Sequence, residues 1–253
     1  MLKYKLYQET ETLLFDPVDH KYFWKELERP SATTITKILT PAMAIGNWTA
    51  KMCADEFKKL IVAGKSYDEI QLLEYYDQIK KSANTNMSNA GMIGSQVHDL
   101  IENYIHYRTI PDIHNEQMKL SFYKFKEWYD AQQNIEIVFT ERKVLSKKYG
   151  YTGTLDALFK NTKTNEYIVY DWKTSSGIRD NYYVQIYLYA MCLEEEFNYK
   201  ISKGIIVNCQ KNGKLKIAEF DIDSQCYDIA ISCLKLYQFL TKKRKVKWHT
   251  KAE

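Results

Sequence analysis

Three residues in the middle of the chain have the types and spacing of a cation site. In Tyr167-Ile-Val-Tyr-Asp171-Trp-Lys173, residues two apart share a face of an extended strand, so Asp171 and Lys173 project together and Trp172 points away. An acid and an ammonium directly after Ile168, Val169 and Tyr170 carry a desolvation cost that most strands avoid by placing charges in turns. A hard divalent cation such as Mg²⁺ or Mn²⁺ would offset it, because such ions prefer carboxylate, carbonyl and water oxygens. Asp156, in Gly150-Tyr-Thr-Gly-Thr-Leu-Asp156 one hairpin earlier, supplies a second carboxylate. A cation held there would polarise a phosphate ester and acidify a bound water, with Lys173 placed to orient or deprotonate that water. Asp-x-Lys alone equally fits a salt-bridged surface hairpin. The second aspartate behind a glycine-containing approach is what favours chemistry.

The strands that must carry these residues are legible from period-two alternation. Ile135, Ile137 and Phe139 alternate with Glu136, Val138 and Thr140, and Glu141 opens a segment Glu-Arg-Lys-Val expected to lead into a turn, its role open. Strands are expected at Tyr151–Phe159, Glu166–Lys173, Ile201–Cys209 and Leu215–Ile222, with helices near 181–197 and 224–243. Upstream, Thr12–Phe15 and His20–Trp24 flank the turn Asp16-Pro17-Val18-Asp19, and Ser31, Thr33 and Thr34 can cap a short helix ending before Pro41. Helices are expected over 47–62 and 67–82, a polar linker over Ser82–Asn89, a helix from Gly91–Gly94 to about Tyr107, and another over about 115–132. The order predicts an α/β (mixed α+β) domain over 1–253. Residues 1–133 form a mainly helical N-terminal cap with a small hairpin, 134–245 a mixed sheet flanked by helices, and 246–253 a basic tail.

The four motifs Gly94-Ser-Gln-Val-His98, Gly153-Thr-Leu-Asp156, Asp171-Trp-Lys173-Thr-Ser175 and Gln185-Ile-Tyr-Leu-Tyr189, in that order, resemble the RecB-like branch of the PD-(D/E)XK nucleases. That branch includes phage exonucleases and the mitochondrial genome maintenance exonuclease. They span about 95 residues, and the region around His20–Leu39 is similar to the N-terminal part of phage members. The resemblance implies a restriction-endonuclease-like core and metal-dependent hydrolysis of DNA. An exonuclease on ends or single strands in repair, recombination or phage replication is favoured, with a structure-specific or guide-associated endonuclease or a non-catalytic DNA-binding or inhibitor protein as alternatives. It implies Asp156, Asp171 and Lys173 as catalytic, with His98, Asp156, Asp171 and the Trp172 carbonyl as metal ligands. It also implies that Gln185 and Tyr189 line the active-site floor and DNA path, with Thr174 and Ser175 as further DNA-binding residues. Glu102, one helical turn after His98, is a candidate supporting acid or an exposed helix residue. Tyr189 also lies near the apolar stripe Tyr182, Ile186, Ala190 and Leu193, so its ring equally suits core packing.

Composition bounds the partners. The five cysteines show no CxxC spacing, so neither a zinc ribbon nor an iron–sulfur cluster is expected, and the cysteines of the last helix read as core. No helicase motif GxxxxGK[ST] is present, so a motor or recombination partner would be a separate chain. Net charge is +4, but Thr241–Glu253 alone carries +5, leaving −1 elsewhere, so phosphate attraction must come from a local groove or the tail. Lys242-Lys-Arg-Lys-Val-Lys247 resembles a nuclear import signal, but a solvated helix end or phosphate contact is the favoured reading. The 21 tyrosines suit either base stacking or core filling. The first residues lack the pattern of a secretory or mitochondrial leader and no stretch is apolar enough to span a membrane, so a cytoplasmic protein is expected.

Overall fold

The computed structural model describes residues 1–243. Residues 244–253, which hold most of the basic tail and of the import-like motif, lie outside the described residues. The chain begins with four antiparallel strands, β1 (Leu2–Leu6), β2 (Glu11–Asp16), β3 (Lys21–Trp24) and β4 (Leu27–Arg29), in spatial order β1-β2-β3-β4. The expected hairpin is the β2–β3 pair. Its outer strands were not anticipated because β1 and β4 carry little alternation and expose most of their side chains. The sheet buries Leu6, Leu13, Phe15, Tyr22 and Trp24 against Leu145.

Helix α1 (Ala32–Thr36) is capped by Ser31, whose hydroxyl accepts from the Thr34 amide at 3.1 Å, and continues into a 3-10 turn at Lys37–Leu39. Helices α2 (Ala42–Leu60) and α3 (Glu69–Tyr107) pack against each other. Helix α3 starts at a capping box in which Asp68 and Gln71 each accept the other's backbone N–H.

The linker expected over Ser82–Asn89 is instead the middle of α3, which runs unbroken for 39 residues. The polar side chains turn back onto their own helix. Ser82 Oγ donates to the Ile79 carbonyl (2.7 Å), Thr85 Oγ1 to Lys81 (3.2 Å) and Asn86 Nδ2 to Ser82 (2.9 Å). Gly91 and Gly94 cost such a helix only about 1 kcal/mol each, and no proline interrupts it. Gly94 therefore lies inside the helix, not at its start.

After α4 (Glu116–Asp130) comes a five-stranded mixed sheet in the order β5 (Ile135–Ser146), β6 (Tyr151–Asn161), β7 (Tyr167–Lys173), β8 (Ile201–Cys209), β9 (Leu215–Asp221). Strands β5–β6, β6–β7 and β8–β9 pair antiparallel. Strands β7 and β8 are parallel because α5 (Asp180–Phe197) crosses between them. The turn expected after Glu141 is absent: β5 continues to Ser146.

One face of the sheet buries Leu155, Val169 and Ile206 beneath α1, α5 and α6 (Ser224–Lys243). Ala230 and Cys233 of α6 are buried there and Cys226 is half-buried, and all five cysteines are free. The other face buries Phe159, Tyr170, Trp172 and Val207 beneath α3 and α4, which contribute Ile101, Tyr104, Phe122, Phe125 and Tyr129 among others. No helix among the described residues is long and apolar enough to cross a membrane.

Candidate metal centre

The sheet ends and α3 meet at a cleft of about 1320 Å³, and its other wall is the N-terminal sheet with α1 and the end of α6. Strand β7 alternates as the sequence requires. Ile168, Tyr170 and Trp172 enter the α3/α4 core, whereas Val169, Asp171 and Lys173 face α5. Asp171 is wholly buried and Asp156 nearly so, on adjacent antiparallel strands. The Trp172 amide donates to Asp156 Oδ2 at 2.7 Å, which leaves Oδ1 to face His98.

His98 reaches the strand ends from α3. Its Nδ1 lies 3.6 Å from Asp156 Oδ1 and 3.9 Å from Glu141 Oε1, and its Nε2 lies 3.1 Å from the Trp172 carbonyl oxygen. His98, Glu141 and Asp156 can each offer one ligand atom, all within 4.8 Å of one another. Glu141, whose role the sequence left open, is thereby brought into the centre. The flanking pairs Thr140↔Ala157 and Arg142↔Leu155 set it across from Asp156. Its φ of +44° is a left-handed conformation that a non-glycine residue adopts only at a cost. Alternation alone could not reveal this, since the signal is a backbone kink within a strand.

Lys173 Nζ lies 2.6 Å from Asp171 Oδ2. Nevertheless, among the described residues neither Asp171 oxygen has a hydrogen-bonded partner of good geometry, so the contact is an ion pair without directed bonding. Burial lifts the Asp171 carboxyl to about 6, against the pull of Lys173. Burial raises Asp156 as well, with His98 and Lys173 opposing it. For Lys173, burial pulls downward, but Asp171 and Asp156 outweigh it and hold the ammonium above its ordinary value. Burial likewise pulls His98 down, and the charges of Asp156 and Glu141 overcome it to leave the imidazole at about 9.

The converging group of two acids and an imidazole, with the Trp172 carbonyl 3.1 Å from His98 Nε2, is an oxygen-rich donor set with one nitrogen that fits a hard divalent cation. The buried Asp171 carboxylate lies outside that group, on the strand next to Asp156.

On α5, Gln185 Nε2 donates to Tyr189 Oη at 2.8 Å and to Thr33 Oγ1 at 3.2 Å, tying the helix to α1 at the cleft floor. Both readings of Tyr189 hold geometrically, since it lines the cleft while its ring is buried. The ring lies over Gly153, where an added Cβ would stand 2.6 Å from Cε1, so this glycine is dictated by close approach. Gly94 is similar on a looser scale, its Cβ position being 3.4 Å from Thr174 Oγ1.

Thr174 and Ser175 follow β7 in a bend that does not line the cleft, and Ser175 Oγ donates to the Gly177 carbonyl. Glu102 is half-buried outside the three-ligand group. Burial and the charge of Glu141 raise its carboxyl. The cleft walls add Lys21, Arg29, Lys37, Lys143 and Lys242 to Lys173, against the acids Asp19, Glu28, Glu141 and Asp156. The cleft lining thus carries more cationic than acidic side chains, one of the two places where the charge distribution allowed phosphate attraction. Lys143 and the N-terminal sheet wall were not anticipated, because they depend on contacts between distant segments.

No protein-family model matches the chain, and no curated protein sequence matches it. Among solved structures it is similar to an alkaline exonuclease (LHK-Exo) from Laribacter hongkongensis, with 9% identity and a TM-score of 0.39 over 85% of this chain and 93% of that one. The complex of LHK-Exo with dAMP gives 9% identity and a TM-score of 0.36 over 78% and 92%. The protein SSO0001 gives 14% identity and a TM-score of 0.32 over 74% and 86%.

Proposed function

We propose that this chain is a divalent-cation-dependent nuclease of the PD-(D/E)XK type, RecB-like branch, hydrolysing phosphodiester bonds in DNA. The observation that carries this reading is the convergence of His98, Glu141 and Asp156 in the cleft, with the buried Asp171 carboxylate, without a directed hydrogen bond, on the strand next to Asp156. A carboxylate kept in that condition is costly unless a cation completes it. Asp156 Oδ1, Asp171, His98, Glu141 and the Trp172 carbonyl would hold Mg²⁺ or Mn²⁺. The bound ion would supply Lewis acidity toward the phosphate and lower the pKa of a water.

The chain's own groups do the rest. Lys173 is held charged by Asp171 and Asp156, so it acts as an ammonium that orients the attacking water and offsets developing negative charge. The hydrogen-bonded pair Gln185–Tyr189 forms a rigid floor against which a nucleotide is positioned. Lys21, Arg29, Lys37 and Lys143 attract the phosphate backbone along the cleft walls. Exonuclease action on DNA ends or single strands, in repair, recombination or phage replication and with any helicase on a separate chain, is the reading favoured by the motif order.

The test is digestion of single-stranded, blunt, 5′-tailed, 3′-tailed and covalently closed circular DNA with Mg²⁺ or Mn²⁺, with Asp171→Asn as control. Cleavage of linear but not closed substrates, lost in the variant, is expected. Cutting of closed circles would replace the exonuclease reading by an endonuclease one, and no cleavage of any substrate would overturn the nuclease reading.

A further inference from the structure

Beside the proposed centre, on β8, stands an asparagine that the motifs do not include. Asn208 is wholly buried, and among the described residues neither its Nδ2 nor its Oδ1 has a hydrogen-bond partner. A buried amide with both ends idle is rare in folded proteins and calls for a physical cause. Its position supplies one. In the parallel pairing of β7 with β8, Asn208 is the register partner of Lys173, and Ile206 that of Asp171. Ile205, Val207 and Cys209 belong to the α3/α4 core, so Ile206 and Asn208 face α5. Lys173 faces the same way, its Nζ 5.0 Å from the ring centre of Tyr182 on α5. The amide therefore lies next to the lysine on the same side of the sheet.

The Lys173 ammonium leans on Asp171 Oδ2. A cation drawing on Asp171 competes for that oxygen and leaves a buried ammonium needing another acceptor, because a charge without a partner is far costlier there than in water. We infer that Asn208 is a positioning residue for Lys173, its Oδ1 accepting from the lysine Nζ when Asp171 turns to the cation. An amide suits this role because it fixes the ammonium without neutralising it. A carboxylate at the same place would compete with Asp156 and Asp171 for the lysine and the cation. The inference rests on the reading of the centre as a cation-dependent nuclease site and adds a residue that acts through Lys173.

The experiment follows the Lys173 side-chain ¹⁵N resonance in full-length protein, assigned by its loss in Lys173→Arg, together with kinetics on a linear DNA. In cation-free protein Asn208→Ala should leave the resonance unchanged, since Asp171 holds the ammonium. With saturating Mg²⁺ the resonance should persist in the wild type and broaden by exchange with water in the variant. In parallel, kcat should fall roughly tenfold or more, as for loss of a hydrogen bond to a charged group, with KM and Mg²⁺ affinity nearly unchanged. Asn208→Asp keeps the side-chain shape and should also lower kcat while retaining the lysine signal. An unchanged Mg²⁺-bound resonance in Asn208→Ala, or wild-type kcat in Asn208→Asp, overturns the inference. Absence of cleavage by the wild type would overturn the nuclease reading, and the Mg²⁺-dependent resonance would still decide the role of Asn208.

Discussion

Lys173 Nζ and Asp171 Oδ2 are 2.6 Å apart at the end of β7, yet the aspartate, wholly buried, takes no directed hydrogen bond from any described residue. The lysine is the nearest positive charge among the described residues to a carboxylate that burial has lifted to about 6. On the proposed reading, a bound cation would complete that carboxylate.

Divalent cations should therefore stabilise the folded protein. At a cation concentration a hundred times Kd, binding contributes about 2.7 kcal/mol. For a chain of this size that is a rise in Tm of roughly 5–10 °C. Asp171→Asn should abolish the rise. Thermal unfolding with and without Mg²⁺ or Mn²⁺ reads both, and an equal rise in the variant would remove Asp171 from the centre.

Cation affinity should increase with pH between about 6 and about 9. His98, held at about 9 by Asp156 and Glu141 against the pull of burial, must release its proton before its nitrogen can serve as a ligand. Asp171, lifted to about 6, adds a second competing proton below that value. Isothermal titration with Mn²⁺ at pH 6, 7.5 and 9 measures the trend. A flat or inverted profile would show that these two groups do not bind the ion.

Glu141 can be separated into ligand and hinge. Glu141→Gln keeps the side chain's size and should weaken cation binding roughly tenfold or more, because affinity follows the number of charged ligands. Glu141→Gly should weaken it as much, yet leave the cation-free protein no less stable than wild type. A left-handed φ of +44° costs a side-chain-bearing residue about 1–2 kcal/mol that glycine does not carry. Denaturant melts of both variants without cation make the comparison, and a marked loss of stability in the glycine variant would show that the kink is held by the side chain.

Gly153→Ala should damage the cleft floor. The new methyl would stand 2.6 Å from Tyr189 Cε1, and the ring is too enclosed to retreat without breaking its bond from Gln185. Overpacking of this kind costs about 1–3 kcal/mol. The proposed nuclease activity should fall with it, whereas Tyr189→Phe, which removes the hydroxyl but keeps the packing, should lower that activity with little change in the unfolding midpoint. Equal stability of Gly153→Ala and wild type would show that the glycine is not required by the ring.

Much of the sheet was legible because its strands carry strong local signals. Ile168–Lys173 alternates cleanly between two buried faces, and the helical pattern of 181–197 between two apolar runs pointed to a mixed sheet flanked by helices. The N-terminal third was less legible. Ser82–Asn89 has the composition of a linker, yet it is helical: Ser82 and Ala83 are buried, Ser82 against Cys53 of α2, and the polar side chains are satisfied on carbonyls of their own helix. Strands β1 and β4 have weak patterns of their own and depend on β2 and β3 to form.

At the site itself, the sequence by itself determined that Asp171 and Lys173 share a face opposite Trp172, because side-chain direction in a strand has a fixed period of two. It also determined that Gln185 and Tyr189 lie one helical turn apart, by the 3.6-residue period. Which residues from elsewhere approach those faces was decided by tertiary structure alone. His98 reaches them through the docking of a 39-residue helix, Glu141 through a kinked strand, and Asn208 through the register of a parallel pair. Local periodicity fixes directions along one element. Distances between elements depend on packing, register and backbone kinks, which join residues far apart in the chain.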